Sequence, residues 1–229
     1  MKKKKVAIFD IDGTIFRSSL LIELVRALIE NKLFPEKSRL MYEKSYQDWL
    51  DRTGSYDTYI AKVVESFEQY MVGLRHADFM RVVKQVIGFH KYHTYVYPRD
   101  LIKGLKKQGY FILAISHSPK ELLDEFCAQW GFDKVYGRIY EVGKNGMFTG
   151  QTLYKEEIND KAKILKRFIE KEQLSLADSY GVGDSQSDIM FLKFVENPIC
   201  FNPNATLYKH AKKHGWKIVV ERKDVIYQI

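Results

Sequence analysis

The sequence predicts an α/β fold in which a Rossmann-like, mainly parallel sheet carries helices on both faces and is joined to an inserted all-helical domain. Two observations predict it. Apolar segments of strand type alternate with segments of helical period from residue 97 onward, which is the pattern of a doubly wound sheet. A lone strand segment before them is separated from the next strand by residues 17–96, an interval too long for a simple crossover. We therefore predict a core from residues 1–16 and 97–229 and a helical cap from residues 17–96.

The first predicted strand ends in two acidic residues. The segment KKVAIFDIDGT spans residues 4–14 and places Asp10 and Asp12 just after its apolar run. Side chains two residues apart on an extended backbone point the same way, so both carboxylates face the carboxyl end of the strand, where open parallel sheets bind ligands. Gly13 permits a turn there, and Thr14 offers a hydroxyl and a backbone N–H. Such a pair can divide nucleophilic attack and proton transfer, although a plain turn uses the same residue types.

Helical period marks the whole insertion. Pro35, Gly54 and Gly73 separate its repeats. We expect a first helix that ends near Asn31, with Ser18 or Ser19 as its N-cap, and three more helices at residues 37–51, 56–72 and 77–92. The many aromatic residues of this segment indicate either an apolar substrate pocket or a packed bundle. We favour the bundle because aromatic residues at helical spacing usually build a core.

The remaining elements alternate between helix and strand. Gly109 and Pro119 mark helix boundaries, and Asn145-Gly146 is a strong signal for a two-residue hairpin turn. In chain order we expect a helix at 99–108, a strand at 110–115, a helix at 119–131, a hairpin at 135–149, a helix at 161–172, a strand at 179–182, a helix at 187–195, a strand at 198–201, a helix at 206–214 and a strand from Trp216.

The composition is that of an ordinary globular protein. Of 229 residues, 45% are hydrophobic and 29% are charged, and the formal net charge is +8, which is far from the signature of disorder. The lysines are spread over predicted helix faces, so we expect no nucleic-acid partner. The 2 cysteines match neither a disulfide framework nor a metal-site spacing, and no segment approaches transmembrane length. We expect a cytoplasmic protein that does not contact a membrane; the sequence gives no indication of its oligomeric state.

Four features that could carry chemistry fall at strand ends or helix starts, in one chain order. They are the Asp10/Asp12 pair, Ser116 at the end of a later strand, Lys161 at a helix start, and the segment GVGDSQSD at residues 181–188. This order resembles the haloacid dehalogenase (HAD) superfamily, whose phosphatases carry DxDxT, a serine or threonine after a strand, a lysine and GDxxxD. The position of the helical insertion resembles the C1-cap branch, which includes phosphoserine phosphatase. The Ser-x-Ser-Pro form at residues 116–119 and the segment Asn202-Pro203-Asn204 resemble subfamily IB.

The resemblance implies a Mg²⁺-dependent phosphatase that works through an aspartyl-phosphate. Asp10 would attack phosphorus, and Asp12 would protonate the leaving alkoxide and then activate water. Ser116 would donate to a phosphoryl oxygen, and Lys161 would balance the charge on the phosphate and on Asp10. Three carboxylates brought together repel one another, and a hard cation relieves that repulsion. The implied Mg²⁺ ligands are the carboxylates of Asp10, Asp184 and Asp188 and the backbone carbonyl of Asp12.

Most of these residues also have a plain structural interpretation. Ser116 fits a helix cap, and Asp184 and Asp188 fit the first turn of a helix, where carboxylates are favourable. We choose Lys161 for the lysine role because a helix start followed by apolar residues matches the family pattern best. Its rivals are Lys155, Lys163 and Lys166.

The residues expected to contact the substrate depart from those of phosphoserine phosphatases. Ser19 stands where those enzymes typically place a glutamate for the substrate ammonium, and His117-Ser118-Pro119 stands where they commonly have glycines. We expect the substrate to be a small phosphorylated metabolite. Phosphotransfer to an acceptor other than water, and a catalytically idle HAD-fold binding or regulatory protein, are the alternatives. The candidate substrate-binding residues are Thr14, Ser116, His117, Arg17, Ser19 and Glu23.

Overall fold

A computed structural model describes residues 3–154 and 160–229 of the chain. The strands in this part of the chain are β1 (Lys5–Phe9), β2 (Phe111–Pro119), β3 (Lys134–Val142), β4 (Phe148–Leu153), β5 (Ser175–Gly183), β6 (Asn197–Phe201), β7 (Lys217–Arg222) and β8 (Val225–Gln228). They lie in the order β4-β3-β2-β1-β5-β6-β7-β8. The β3–β4 and β7–β8 pairs are antiparallel, and all other neighbours in this order are parallel. The prediction of a mainly parallel α/β sheet is confirmed.

Helices precede or follow most strands. Those described are α1 (Leu20–Glu30), α2 (Leu40–Leu50), α3 (Tyr56–Tyr70), α4 (His76–His90), α5 (Val96–Lys107), α6 (Lys120–Cys127), α7 (Lys161–Lys171), α8 (Ile189–Leu192) and α9 (Ala205–His214). Short 3₁₀ turns precede α2 at Glu36–Arg39 and α8 at Gln186–Asp188. Among the described helices, none is both long enough and apolar enough to cross a membrane.

The chain divides into two compact units. The sheet unit comprises Met1–Ser18, Tyr92–Arg138 and Tyr154–Ile229, and the helical unit comprises Ser19–Lys91 and Ile139–Leu153. Strand β3 contributes residues to both, so the far half of the β3–β4 hairpin belongs to the helical unit.

Strand β1 is the buried centre of the sheet unit. Residues 6–9 are fully buried, and β1 pairs in parallel with β2 on one side and β5 on the other. Apolar side chains of the strands share a core with Leu165 of α7, Phe191 of α8 and Leu207 of α9. Because β1, β2 and β5 are parallel neighbours, their carboxyl ends lie at one edge of the sheet, the place where such sheets bind ligands.

Aromatic side chains fill the core of the helical unit. Phe34, Phe67 and Phe79 are at most 1% exposed, and the rings of Phe34 and Phe79 lie 6.1 and 6.3 Å from that of Phe67. The hairpin joins this core, since Phe148 packs edge to face on Phe79 at 5.0 Å and its carbonyl oxygen accepts a 2.9 Å hydrogen bond from the Gly73 N–H. These aromatic residues build a bundle core, as their helical spacing predicted.

The hairpin is present, but its turn differs from the two-residue turn that the sequence predicts. The Gly143 N–H donates to the Met147 carbonyl oxygen at 2.8 Å, and the Gly146 N–H donates back to the Gly143 carbonyl oxygen at 2.9 Å. Three residues therefore connect the strands, and Gly146 takes the left-handed conformation with φ 76. This is the turn followed by a bulge that three-residue hairpin loops adopt, in which only one residue needs a positive φ. The predicted two-residue turn is wrong.

Strands β2 and β8 also differ from the prediction. Strand β2 continues to Pro119, although the sequence pattern ended the strand at Ile115 and began a helix at Pro119. Pro119 instead pairs with Arg138 of β3, after a shift in register. Strand β8 was not predicted, because its residues are all exposed and show no alternation.

Candidate active site

Four chain segments meet at the carboxyl edge of β1, β2 and β5. Asp10 follows β1 directly, and its backbone N–H donates to the Val182 carbonyl oxygen of β5 at 2.9 Å. Ser116 lies in the carboxyl part of β2, Asp184 follows β5, and Lys161 is the first residue of α7. All of them belong to the sheet unit. Residues that are widely separated in the chain thus share one small site.

Lys161 joins two carboxylates inside this site. Its Nζ lies 2.6 Å from Asp10 Oδ1 and 2.6 Å from Asp188 Oδ1, and the three residues are at most 5% exposed. Burial lowers the pKa of Lys161, but the two carboxylates raise it by more, so its pKa lies above the ordinary value and the ammonium is retained. The rivals Lys163 and Lys166 are exposed, and Lys155 lies outside the described residues.

An acidic cluster surrounds Asp10. The carboxylates of Asp10, Asp184 and Asp188 offer oxygen atoms that all lie within 4.8 Å of one another. Burial raises the pKa of Asp10 to about 7; Lys161 opposes this increase, and Asp188 and Asp12 add to it. Burial, with repulsion from Asp10 and Asp188, also raises the pKa of Asp184 well above its ordinary value. The cluster therefore favours the binding of a cation or a proton, either of which neutralises negative charge.

Asp12 has different partners from Asp10. Its Oδ2 accepts hydrogen bonds from the hydroxyls of Ser116 at 2.8 Å and Ser118 at 2.7 Å. The Ser116 Oγ in turn accepts from the Ser118 N–H at 3.0 Å. Ser118 was not predicted to be a site residue. Its signal is the two-residue spacing from Ser116, which puts both hydroxyls on one side of an extended strand.

The sequence that carries these site residues matches a known protein family. The sequence profile of the haloacid dehalogenase-like hydrolases matches residues 7–193, a span that holds the whole site. The chain belongs to this family. The predicted superfamily is confirmed by this match, whereas the subfamily and the type of cap stay predictions.

Relatives of the chain include named phosphatases. A histidinol-phosphatase of Neisseria meningitidis serogroup C (strain 8013) is 25% identical over 225 residues, which cover 94% of this chain and 98% of the relative. A phosphoserine phosphatase of Methanocaldococcus jannaschii is 23% identical over 228 residues, which cover 98% and 95%. The prediction that the chain is a phosphatase enzyme of this family is confirmed.

Solved structures share the fold. A phospho-aspartyl intermediate analogue of phosphoserine phosphatase superposes with a TM-score of 0.62 at 22% identity, over 97% of this chain and 96% of that one. A protein of unknown function from Bordetella pertussis Tohama I gives a TM-score of 0.75 at 16% identity, over 95% and 98%. At these identities the likeness supports the fold alone.

The acidic cluster of this hydrolase fits a divalent cation. Its donors are carboxylate oxygens, which hard cations prefer. Gly13, with φ 77, is needed for the approach of Asp184, because a Cβ at that position would collide with the Asp184 carboxylate. Asp188 has a second task, since its Oδ2 accepts from the N–H groups of Asp184 and Ser185, both at 3.1 Å. Asp188 thus holds both Lys161 and the turn after β5, and the helix-start interpretation of Asp188 is also correct.

The raised pKa values predict how the stability of the metal-free hydrolase changes with pH. A carboxyl group whose pKa rises on folding, here from 3.8 to about 7 for Asp10, binds more protons in the folded than in the unfolded state, so its contribution to stability falls as pH rises through that window. We expect the melting temperature in EDTA to fall between about pH 4 and pH 7, and a bound divalent cation to remove most of that fall. At 100-fold excess over its dissociation constant, the cation should raise the melting temperature by roughly 5–10 °C at pH 8.

Thermal unfolding of the wild type and of Asp184→Asn, each with EDTA and with Mg²⁺, measures this effect. The variant removes one of the repelling charges, so its melting temperature should depend less on pH than that of the wild type, and Mg²⁺ should raise it less. If the melting temperatures of the two proteins in EDTA changed identically with pH, charge repulsion in this cluster would not be the cause of the pH dependence.

Thr14 and His117 were predicted to contact the substrate. The Thr14 hydroxyl is fully buried and has no hydrogen-bond partner among the described residues, which leaves it available for a ligand. Its backbone N–H instead donates to the Ile11 carbonyl oxygen at 3.2 Å. His117 is half-buried. It lies between Ser116 and Ser118 in β2, and its contact with a substrate stays a prediction.

Arg17, Ser19 and Glu23 are the other residues that were predicted to contact the substrate. Arg17 is exposed, and its guanidinium lies 5.5 Å from the centre of the Tyr95 ring. Ser19 is buried and stands at the N-cap of α1, although its side chain makes no capping hydrogen bond. The Glu23 carboxylate lies 3.5 Å from Arg26. Ser19 and Glu23 belong to the helical unit, and their contact with a substrate stays a prediction.

Proposed function

We propose that this hydrolase cleaves the phosphate monoester of a small metabolite in a Mg²⁺-dependent reaction through an aspartyl-phosphate on Asp10. One observation carries the proposal. Two carboxylates two residues apart are held by different partners, Asp10 by an ammonium group and Asp12 by hydroxyl groups. An enzyme that needs one carboxylate as a nucleophile and the other as an acid requires such a difference in environment.

In the first step, a carboxylate oxygen of Asp10 attacks phosphorus. A new bond forms between that oxygen and phosphorus while the bond from phosphorus to the ester oxygen breaks, and the electron pair leaves with the ester oxygen. Asp12 gives its proton to that oxygen, so a neutral alcohol departs and Asp12 becomes a carboxylate. The ammonium of Lys161, 2.6 Å from Asp10, offsets negative charge on the nucleophile and on the phosphoryl group.

In the second step, the Asp12 carboxylate takes a proton from water as the water oxygen attacks phosphorus. The bond from phosphorus to Asp10 breaks, which releases inorganic phosphate and restores both side chains. The carboxylates of Asp10, Asp184 and Asp188 and the Asp12 backbone carbonyl, the set that the family resemblance implies, would hold Mg²⁺, which would neutralise charge on the phosphoryl oxygens. We further propose that residues 17–96 act as a C1-type cap that excludes water during the first step.

The relatives direct the choice of substrates to test. Both named phosphatases act, by their names, on phosphate esters of small amino alcohols or amino acids. We propose a small phosphorylated metabolite of comparable size as the substrate of this chain. Phosphate release should be measured over a panel that includes histidinol phosphate, phosphoserine, sugar phosphates and p-nitrophenyl phosphate, each with and without an added alcohol acceptor. Release of phosphate from at least one member supports the proposal. Transfer to the alcohol in preference to water would favour the phosphotransferase, and inactivity with every ester would favour an idle binding protein.

Metal dependence is a direct consequence of the proposal. We expect EDTA to stop phosphate release and added Mg²⁺ to restore it, because the cation neutralises both the carboxylate cluster and the phosphoryl oxygens. The loss should exceed about 100-fold if the cation supplies several kcal/mol of charge stabilisation. EDTA that has been saturated with Mg²⁺ is the control and should have no effect. Full activity after exhaustive chelation would overturn this part of the mechanism.

A further inference from the structure

One oxygen of Asp12 has two hydroxyl donors, and the mechanism gives a task to only one of them. Ser116 and Ser118 both donate to Oδ2, at 2.8 and 2.7 Å. Ser116 and Ser118 are 1% and 4% exposed, and Asp12, which accepts both hydrogen bonds, is half-buried. Two buried donors on one carboxylate oxygen fix the plane of the carboxyl group more tightly than one donor does.

The two serines cannot both donate to Asp12 Oδ2 while a substrate phosphoryl group is bound to Ser116. A hydroxyl has one proton to donate, and the Ser116 Oγ already accepts from the Ser118 N–H at 3.0 Å. In the proposed function the Ser116 proton goes to a phosphoryl oxygen. Ser116 must then release Asp12 Oδ2, and Ser118 is the donor that stays.

The chain builds this arrangement through the extended end of β2. Because β2 continues past Ile115 to Pro119, Ser116 and Ser118 point to the same side. Gly137 of β3 lets the neighbouring strand pass close to this point, since a Cβ there would lie 2.9 Å from the Ser118 carbonyl oxygen and 3.0 Å from the Lys120 Cα. These two contacts are with backbone atoms, which cannot turn away as a flexible side chain does. Glycine at position 137 thus permits the close approach of β3 to the backbone of Ser118.

We propose that Ser118 is the positioning residue of the acid/base carboxylate: its hydroxyl holds Asp12 in place through turnover while the Ser116 hydroxyl binds the phosphoryl group. This inference rests on the proposed function. Variants of the two serines should therefore show different defects. Loss of Ser118 misplaces the proton donor, and loss of Ser116 weakens phosphate binding.

The test compares Ser118→Ala, Ser118→Thr and Ser116→Ala with the wild type on p-nitrophenyl phosphate and on the best alkyl phosphate of the panel, with inorganic phosphate as a competitive inhibitor. For Ser118→Ala we expect the single-turnover rate of alcohol release from the alkyl ester to fall roughly 10- to 100-fold, the effect of losing a hydrogen bond to the carboxylate that forms as Asp12 gives up its proton. The aryl ester needs little protonation, so its single-turnover rate of phenol release should fall less than about 3-fold. The inhibition constant of phosphate should stay within about 2-fold, and Ser118→Thr, which keeps a hydroxyl, should recover most of the alkyl activity.

Ser116→Ala should behave differently, with a phosphate inhibition constant raised roughly 10-fold or more and similar losses on both esters.

If Ser118→Ala does not fold, as judged by circular dichroism and thermal unfolding, Ser118→Cys retains the side-chain size with a weaker donor and should give the same selective loss on the alkyl ester. Equal losses on both esters, or a phosphate affinity that falls as in Ser116→Ala, would overturn the inference and leave the proposed function standing. A wild type that releases no phosphate from any ester would overturn the proposed function and the inference together.

Discussion

Replacement of Asp10 by asparagine is expected to abolish phosphate release. The amide has no anionic oxygen to attack phosphorus, so the first step loses its nucleophile, and we expect kcat to fall by at least about 10⁴-fold on every substrate. The fold should survive the change. Asparagine has nearly the shape of aspartate, it removes a charge from a site where burial raises the carboxyl pKa to about 7, and Lys161 keeps its 2.6 Å contact with Asp188.

The matched control is Asp124→Asn, the same chemical change at an exposed residue of α6 that pairs with Lys120. We expect wild-type activity from this control. Steady-state phosphate release is the measurement, with circular dichroism as the check on folding. If a folded Asp10→Asn protein retains more than about a tenth of the wild-type rate, a residue other than Asp10 attacks phosphorus.

The second large effect is expected for Asp12→Asn. This variant keeps the nucleophile but loses the acid, so the first step should slow most for poor leaving groups. We expect a loss of roughly 10²- to 10⁴-fold on alkyl phosphates and a much smaller loss on p-nitrophenyl phosphate, whose leaving group departs without a proton. The dependence of the rate of alcohol or phenol release on leaving-group pKa should therefore steepen. A single-turnover measurement isolates this step from the second one, in which Asp12 also acts.

His117 offers the informative control for this experiment. It is the titratable residue nearest to Ser116 in the chain, and it would be the first candidate for the proton donor if Asp12 were not. We expect His117→Gln to leave the leaving-group dependence unchanged, because Asp12, which the Ser116 and Ser118 hydroxyls hold, supplies the proton in the proposed mechanism. Equal losses for alkyl and aryl phosphates in Asp12→Asn, with a steeper dependence in His117→Gln, would transfer the acid role to His117.

The parts of the fold that could be predicted depend on local signals. An apolar run that stops at Asp10 defines β1, and the alternation of strands with helices predicts a parallel sheet whose motif residues share one edge. Once that edge is known, the convergence of Asp10, Ser116, Lys161 and Asp184 follows from strand order. The sequence therefore predicts most of the site before any distance is measured.

The parts that could not be predicted depend on partners that are distant in the chain. Helix α5 begins at Val96, earlier than expected, because the Glu221 carboxylate of β7 accepts from the N–H groups of Val96 and Tyr97 at 2.9 and 2.8 Å. The far half of the hairpin belongs to the helical unit because Phe148 contacts that unit's core. Strand β8 pairs only with β7 among the described strands and buries no side chain, so no hydrophobic pattern reveals it.

The contact of Ser118 with Asp12 also depends on residues that are distant in the chain. A serine two residues after another has no periodicity that distinguishes it from a turn residue. Its contact with Asp12 requires β2 to continue past Ile115, and this continuation depends on the pairing of Pro119 with Arg138 in β3. Local propensity places a helix start at this proline, and the tertiary pairing overrides it.

The most direct test of the central claim is to trap the covalent intermediate. The wild-type enzyme is mixed with a good substrate and Mg²⁺, quenched in acid during turnover and reduced with borohydride, which converts an acyl-phosphate to an alcohol and so turns a phosphorylated aspartate into homoserine. Peptide mass spectrometry then locates the change. We expect homoserine at position 10, only in samples that received substrate, and none in Asp10→Asn. Conversion at another carboxylate would contradict the account. An unmodified Asp10 would also contradict it, provided that the enzyme is releasing phosphate and that the same quench and reduction trap a known acyl-phosphate.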